Sequence, residues 1–317
     1  MSLLQIDHLS VSFGKVSALS DVSLAVEQGE ILGLAGESGC GKSTLGLAVL
    51  GLLPPAARVT GSISLAGRPL IGLAERELRS LRGREIGLIV QDPMTALDPC
   101  FSVGSQLRDA IAAHGEHGRR ELAERSVALL SEVGIPDAAT RERDVPSKFS
   151  GGMRQRAVIA MALANDPGLL IADEPTTALD VTIQAQVLAL LDDLRVRRGA
   201  AIVLISHDLG VLSQVCDRVA ILYAGQLVEI GAAANVLRAP RHPYTQALVE
   251  AVPSPDHAPG SLVTVGGRIP DLADPPPGCR FVERCPYAFA PCATTPTLDV
   301  VLDDHRVACW HVTESRL

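Results

Sequence analysis

The hydrophobic residues change their spacing along the chain, and each spacing predicts a different kind of element. Short apolar-rich runs predict β-strands at residues 6–13, 23–26, 30–35, 61–66 and 85–90. A helix is predicted over residues 42–53, where a Pro-Pro pair ends it. Between residues 99 and 146, apolar residues recur at helical spacing among many charges, which predicts an inserted helical subdomain.

Beyond residue 150, predicted helices and buried strands alternate. These helices and strands lie in turn at residues 151–165, 169–172, 181–198 and 201–205. Such alternation is typical of an α/β fold, in which a mainly parallel sheet carries helices on its faces.

The composition changes near residue 250 and indicates a domain boundary. A last helix fits residues 242–252, and the prolines that follow exclude a regular helix or a central strand. We therefore expect a first domain over residues 1–252, with a helical subdomain at about 99–150, and a C-terminal extension over residues 253–317. Because the extension holds few large apolar residues, we expect it to need a stabilising cross-link such as a metal in order to fold.

Composition narrows the class of protein. Of the 317 residues, 47% are hydrophobic, so a sizeable core can form. The formal net charge of −8 argues against a nucleic-acid-binding protein held by bulk charge. No apolar run approaches the ~20 residues that a membrane span needs, and the N-terminal residues show no signal peptide. We expect a cytosolic protein that does not bind nucleic acid.

The segment GESGCGKS at residues 36–43 matches the phosphate-loop pattern G-x-x-x-x-G-K-[ST]. Its glycines let successive backbone N–H groups point at one anion, and the helix that follows adds its positive N-terminal end. In this pattern Lys42 reaches the β- and γ-phosphates of ATP, and the Ser43 hydroxyl binds Mg²⁺. The predicted nucleotide-binding residues are Gly36, Ser38, Gly39, Cys40, Gly41, Lys42, Ser43 and Thr44.

Two carboxylates end the buried strand predicted at residues 169–172. Asp173 and Glu174 then lie at the C-terminal edge of the parallel sheet, where ligands of α/β proteins bind. Asp173 is placed to hold Mg²⁺ through water, and Glu174 to orient or deprotonate the water that attacks the γ-phosphate.

Several motifs resemble those of ATP-binding cassette (ABC) ATPases. The segment FSGGMRQR at residues 149–156 is similar to the family's signature motif, and TALD at residues 177–180 is similar to its D-loop. The family's residues map to Ser150, Gly151 and Gly152 (signature), Asp180 (D-loop), Gln91 (Q-loop), His207 (switch histidine) and Phe13 (adenine stacking).

The resemblance implies a fold and a mechanism. The fold is an ABC-type P-loop ATPase domain, with a RecA-like core, an antiparallel β subdomain and an inserted α-helical subdomain. The implied catalytic residues are Glu174, His207 and Gln91, and Gln91 is also an implied Mg²⁺ ligand. The start of a helix at Ser150 is a second anion-binding end. In the family, two cassettes face each other head to tail, and each signature closes over the other's ATP.

The C-terminal part resembles that of oligopeptide and dipeptide importer ATPases, most of all their D-type subunit. The matching segments are HPYT at residues 242–245, PGCRF at 277–281 and RCP at 284–286. The resemblance implies a second ATPase subunit, two transmembrane permease subunits and an extracytoplasmic substrate-binding protein as partners, at the cytoplasmic face of the inner membrane. Import of nickel or another small solute, and a soluble ABC ATPase without a transport role, are the alternatives.

Four cysteines crowd the extension with the spacing C-x5-C-x6-C-x16-C. They are Cys279, Cys285, Cys292 and Cys309. The spacing fits neither zinc fingers nor ferredoxins, yet four thiols in a core-poor segment favour a metal centre. The resemblance implies a [4Fe–4S] cluster, with structural zinc, or free or disulfide-bonded thiols, as alternatives. Because the extension is predicted to be a separate domain, we expect loss of one thiol to leave nucleotide binding largely intact.

Overall fold

The structure is a computed structural model that describes residues 2–177, 179–252 and 264–314. Ala178 of the predicted D-loop, and residues 253–263 and 315–317 of the predicted extension, lie outside the described residues. The strands are β1 (Ser2–Phe13), β2 (Val16–Glu27), β3 (Ile31–Ala35), β4 (Ala57–Leu65), β5 (Arg68–Pro69), β6 (Ile86–Ile89), β7 (Leu169–Asp173), β8 (Ala201–Ile205), β9 (Arg218–Tyr223), β10 (Gln226–Ala232), β11 (Asp299–Leu302) and β12 (His305–Val307).

The helices lie between these strands. They are α1 (Lys42–Val49), α2 (Glu75–Leu81), α3 (Pro93–Ala96), α4 (Val103–Ala112), α5 (Arg119–Glu132), α6 (Ala138–Arg141), α7 (Gly151–Ala162), α8 (Val181–Arg198), α9 (Leu209–Val215), α10 (Ala233–Arg238), α11 (Pro243–Glu250) and α12 (Trp310–Glu314). None of the helices in the described part of the chain is long and apolar enough to cross a membrane.

The chain divides into two compact units. The first unit holds residues 27–30 and 72–203, and the second unit holds the described residues among 2–26, 31–71 and 204–317. In the first unit the strand order is β8-β7-β6, and β6 and β7 are parallel. Helices α4, α5 and α6 of this unit confirm the helical spacing seen between residues 99 and 146.

The second unit contains two groups of strands. One is an antiparallel sheet in the order β2-β1-β4-β5, whose long strands alternate buried and exposed residues because only one face is covered. The other has the order β11-β12-β10-β9-β3, in which β3 and β9 are parallel and the remaining pairs are antiparallel. Every residue of β3 is buried. This agrees with its continuous apolar run, which predicted a strand covered on both faces.

Some boundaries differ from the sequence-based prediction. Helix α1 ends at Val49 rather than at residue 53, because Gly51 adopts a left-handed conformation with φ of 61°. The N–H groups of Gly51 and Leu52 then donate to the carbonyls of Ala48 and Leu47 (3.1 and 2.9 Å), which closes the helix in a Schellman motif.

Two further differences concern strands. Strand β2 starts at Val16, seven residues earlier than predicted, because it pairs with β1 as a neighbour in the antiparallel sheet. No strand is predicted after residue 252, yet β11 and β12 form a hairpin there. This hairpin pairs with β10 through Glu229 opposite Val307, so it extends the sheet of the second unit.

Candidate functional site

The phosphate loop connects β3 to α1 in the second unit. Its glycines Gly36, Gly39 and Gly41 have φ values of 147°, 80° and 106°, which side chains with a Cβ rarely adopt. At Gly36 a Cβ would also lie 2.1 Å from the carbonyl oxygen of Leu222. Position 36 therefore requires glycine, because its backbone conformation is unfavourable for other residues and because there is no space for a Cβ.

Lys42 is the first residue of α1 and is buried, with 6% of its surface exposed. Its Nζ donates to the carbonyl oxygens of Gly36 (2.8 Å) and Glu37 (3.0 Å), so the ammonium group spans the loop from inside. The positive charge of Lys42 is thereby held inside the phosphate loop.

The other phosphate-loop residues differ in exposure. Ser38, Gly39 and Ser43 are exposed, and Thr44 is half-buried on the first turn of α1. Cys40 is fully buried, and this burial raises the pKa of its thiol. A buried neutral thiol packs and does not react.

His207 belongs to the second unit and comes two residues after the end of β8. The N–H of the preceding residue, Ser206, donates to the carbonyl of Leu34 in β3 at 3.1 Å. His207 is exposed and lines a cavity of about 330 Å³ together with Gly36 and Leu248. The structure thus brings the predicted switch histidine and the first glycine of the phosphate loop to one cavity.

The predicted catalytic carboxylate lies in the first unit, directly after β7. Gln91 follows the parallel neighbour β6, and its Nε2 donates to Oε2 of Glu174 at 2.8 Å. The hydroxyl of Thr177 donates to the same oxygen, also at 2.8 Å. Asp173 is half-buried at the end of β7. Gln91, Asp173 and Glu174 are predicted site residues, and Thr177 belongs to the predicted D-loop. The contact of Thr177 with Glu174 was not predicted, although a separation of three residues could have indicated it.

Two helix starts lie side by side in the first unit. Ser150 caps α7 by accepting a hydrogen bond from the N–H of Met153 (3.3 Å), and Asp180 caps α8 by accepting one from the N–H of Ile183 (2.9 Å). Gly152 lies against Ile183, where a Cβ would come within 2.7 Å of the side chain. The predicted signature residue Gly152 is therefore packed against the first turn of α8, the helix that follows the predicted D-loop.

Phe13 is the last residue of β1 in the second unit. It pairs with Ala57 of β4 and is half-buried. A ring in this position retains an accessible surface, as stacking on adenine requires.

The four cysteines of the extension lie close enough to influence one another electrostatically. The pKa of the Cys279 thiol is raised to about 11, mainly by burial and then by Cys292, Cys309 and Cys285. The N–H of Cys279 also donates to the carbonyl of Cys292 at 3.0 Å. Among the described residues, however, no group of three or more His, Cys, Asp or Glu side chains is arranged to hold a metal ion.

The extension contacts the phosphate loop. Arg284, the neighbour of Cys285, donates to both carboxylate oxygens of Glu37. The guanidinium of Arg284 is buried and the carboxylate of Glu37 is partly exposed, and this ion pair joins the extension to the nucleotide-binding residues.

Comparison with known proteins identifies the class of protein. The sequence profile of the family described as ABC transporter matches residues 19–177. Among solved structures, the ATP-binding cassette MJ0796, in a dimeric post-hydrolysis state bound to ADP and Pi, aligns with a TM-score of 0.65 and 26% identity, covering 73% of this chain and 98% of that chain. The structure of cbiO1 from Clostridium perfringens aligns with a TM-score of 0.66 and 26% identity, covering 75% of this chain and 91% of that chain. The chain belongs to the ABC transporter family and is an ATPase of the ABC type.

The branch of the family follows from the C-terminal part. The profile described as the C-terminal region of oligopeptide/dipeptide transporters matches residues 228–292. The chain is 46% identical to the dipeptide transport ATP-binding protein DppD of Bacillus subtilis, over 97% of this chain and 94% of that protein. It is 44% identical to the oligopeptide transport ATP-binding protein OppD of Salmonella typhimurium, over 99% of this chain and 95% of that protein. Within the ABC family it is therefore a D-type ATP-binding protein of the oligopeptide/dipeptide branch.

Proposed function

We propose that this chain hydrolyses ATP to power the import of di- or oligopeptides. The observation that carries the proposal is the full-length similarity to DppD and OppD, which includes the C-terminal region of that branch. On this basis residues 1–252 form the ATPase domain and residues 253–317 its extension. The chain acts at the cytoplasmic face of the inner membrane, attached to two permease subunits that receive peptide from an extracytoplasmic binding protein.

ATP and Mg²⁺ are the expected ligands of an ABC ATPase. The backbone of residues 36–43 and Lys42 bind the phosphates, and Phe13 stacks on the adenine. Ser43, Gln91 and Asp173 offer the oxygen atoms that Mg²⁺ prefers, and a bound Mg²⁺ would neutralise charge on the β- and γ-phosphates.

The catalytic step is assigned to the residues around Glu174. Its carboxylate orients the attacking water and accepts its proton, while Gln91 and Thr177 hold one of the two carboxylate oxygens in place. His207 donates a hydrogen bond to the γ-phosphate, where negative charge develops.

The second half of each site comes from a partner ATPase subunit. At the start of α7, around Ser150, Gly151 and Gly152, backbone N–H groups have no acceptor within the helix and can bind an anion. In a head-to-tail dimer these groups and Asp180 act on the ATP of the partner, which is a homologous chain. The dimeric structure of the cassette MJ0796 supports this arrangement.

The test of the ATPase assignment is a pair of substitutions in the assembled complex. Lys42→Ala should abolish ATP turnover and binding, whereas Glu174→Gln should bind ATP and trap the closed pair of subunits with ATP unhydrolysed. Peptide import into proteoliposomes should stop in both variants. Wild-type turnover in Glu174→Gln would exclude Glu174 as the catalytic carboxylate.

We also propose that the four cysteines hold a [4Fe–4S] cluster. The backbone hydrogen bond from Cys279 to Cys292 supports a shared site, because it brings two of the four cysteines together, and thiolates are the ligands of such clusters. A cluster is wider than one ion, so its ligands can lie further apart than the four sulfurs of a zinc site, each about 2.3 Å from the metal. The cluster would supply a cross-link that closes the extension.

The cluster proposal is tested on protein purified without oxygen. It should be brown, absorb broadly near ~400 nm and contain about four iron atoms per chain. Colourless protein with one zinc per chain would indicate structural zinc instead of a cluster. Protein without any metal would refute a shared site. Cys100→Ser, at an exposed cysteine outside the extension, is the matched control and should keep the iron.

A further inference from the structure

One buried arginine of the extension reaches the phosphate loop. Arg284, whose side chain is 4% exposed, donates from Nη1 and Nη2 to the carboxylate oxygens of Glu37, at 2.7 and 3.0 Å. Glu37 occupies the first variable position of the phosphate loop, directly after Gly36. The two partners lie 247 positions apart in the sequence, so only the fold brings them together.

Arg284 is fixed by several acceptors besides Glu37. Its guanidinium also donates to the carbonyls of Val265 (3.0 Å) and Gly266 (2.6 Å) and to the hydroxyl of Tyr223 (3.3 Å). The guanidinium carbon lies 5.5 Å from the centre of the Tyr223 ring. A side chain held from so many directions has one orientation, and that orientation aims two donors at Glu37.

The main chain of Glu37 belongs to the hydrogen-bond network that holds the loop. Its N–H donates to the hydroxyl of Tyr244 at 2.9 Å, and its carbonyl accepts from Nζ of Lys42 at 3.0 Å. Tyr244 is fully buried, and its ring packs against that of Tyr223 with 4.5 Å between centres. The position of Glu37 therefore affects the lysine that is assigned to the phosphates.

We propose that Arg284 is a positioning residue of the nucleotide site, through which the cysteine-rich extension sets the affinity of the phosphate loop for a nucleoside triphosphate. This inference rests on the proposed role of the loop in binding ATP. Without Arg284, the carboxylate of Glu37 would be an uncompensated negative charge in a segment that must accept a triphosphate. The pairing also restricts the loop backbone, so less ordering is needed when ATP binds.

The experiment measures binding of Mg-ATP to the purified full-length chain by calorimetry, together with KM and kcat for ATP hydrolysis by the assembled complex. Arg284→Ala should raise Kd and KM roughly tenfold, the effect of one unpaired unit charge near a bound anion, with kcat unchanged. Arg284→Lys should fall between this variant and the wild type, because lysine keeps the charge but loses the bidentate geometry. Wild-type Kd in Arg284→Ala would overturn the proposal.

A double variant separates positioning from general damage to the fold. Adding Glu37→Gln to Arg284→Ala removes the uncompensated charge and should restore most of the affinity. If the double variant binds no better than Arg284→Ala alone, the charge argument is wrong. Arg306→Ala, at an exposed arginine of the same extension, is the matched control and should bind as the wild type does.

Three further variants complete the test. Cys285→Ser changes the neighbour of Arg284 and should raise Kd, whereas Cys100→Ser should not. An unchanged Kd in Cys285→Ser would show that the extension does not act through Arg284. Lys42→Ala distinguishes this inference from the proposed function: if it binds ATP as the wild type does, the phosphate-loop assignment itself fails. If only Lys42→Ala loses binding and Arg284→Ala keeps it, this inference alone fails.

Discussion

Two parts of the second unit are held in place by different forces. Strand β3 is buried at all five positions and β9 at every position but Arg218, so apolar burial and the strand ladder stabilise them. The extension has a small apolar cluster of Val301, Val307 and Cys309. Phe281 packs its ring 5.1 Å from that of Tyr223, and β12 pairs with β10. Buried polar side chains add further attachments between the extension and the rest of the unit.

In the described part of the extension, Arg284, Arg280 and His305 form such polar attachments. Arg284 pairs with Glu37, and Arg280 donates to the carbonyl of Ala224. His305 of β12 donates from Nε2 to Oε1 of Glu229 in β10 at 2.7 Å, and both residues are at most 2% exposed.

The difference teaches how each part responds to substitution. Apolar burial is lost in proportion to the atoms removed and the cavity left behind. A buried polar attachment loses its whole stabilising effect when either partner is removed, because the other partner stays buried without a hydrogen bond or a counter-charge. The following predictions, from the largest effect to the smallest, test this contrast through the free energy of unfolding.

The largest effect is expected at Glu229. Its carboxylate accepts hydrogen bonds from His305 and from the N–H groups of Arg241 (2.8 Å) and His242 (2.9 Å). Glu229→Ala removes both acceptor oxygens and so all three hydrogen bonds, and it should lower the free energy of unfolding, measured in urea, by about 4 kcal/mol. Glu229→Gln keeps one oxygen acceptor and should cost less. A loss below about 1 kcal/mol in Glu229→Ala would contradict the all-or-none behaviour of a polar attachment.

In β9 the effect should be graded. Ile221 is fully buried, so Ile221→Ala should cost about 3 kcal/mol and Ile221→Val about 1 kcal/mol. Both values come from urea unfolding curves of the same chain. Equal losses in the two variants would mean that the strand also responds as a whole, and the contrast with the extension would disappear.

A pH-dependent effect of intermediate size is expected at His242. Burial lowers its pKa to about 4 from an ordinary value of 6.5, an effect that Glu229 partly opposes. Between these values the unfolded chain binds a proton that the folded chain does not, so stability falls as the pH decreases through this window. From pH 7 to pH 5 this residue should account for a loss of about 2 kcal/mol.

The control for this titration is His242→Asn. Nδ1 of His242 accepts a hydrogen bond from the N–H of Tyr244 at 3.0 Å and so caps α11, and asparagine can accept the same bond. The variant should show a smaller loss of stability between pH 7 and pH 5 than the wild type. The same pH dependence in both proteins would assign the proton uptake to another group.

The smallest effect is expected at an exposed polar pair. His8 and Asp21 lie 2.7 Å apart, but their side chains are 79% and 71% exposed. Asp21→Asn should change the free energy of unfolding by less than about 0.5 kcal/mol, because water replaces the lost interaction. Asparagine also tolerates the left-handed backbone at this position, where φ is 55°. A larger loss would show that burial is not what distinguishes the polar attachments.

The sequence by itself determined the features that depend on neighbours along the chain. The bounds of α8 (Val181–Arg198) and β8 (Ala201–Ile205) agree with those predicted, because helical and strand periodicities are local. The phosphate loop was identified from eight consecutive residues, since its glycines and Lys42 act within one turn of chain. The ABC family and its peptide-transport branch followed from motifs of the same short range.

Only the tertiary structure decided which distant side chains meet. Gln91 and Glu174 are 83 positions apart, and their contact depends on β6 and β7 becoming parallel neighbours. The β11–β12 hairpin pairs with β10 only in the folded chain. Arg284 reaches Glu37 because the chain folds back on itself over more than 200 residues. No short-range pattern encodes such pairings, because they arise from the packing of elements and the need to satisfy buried charges.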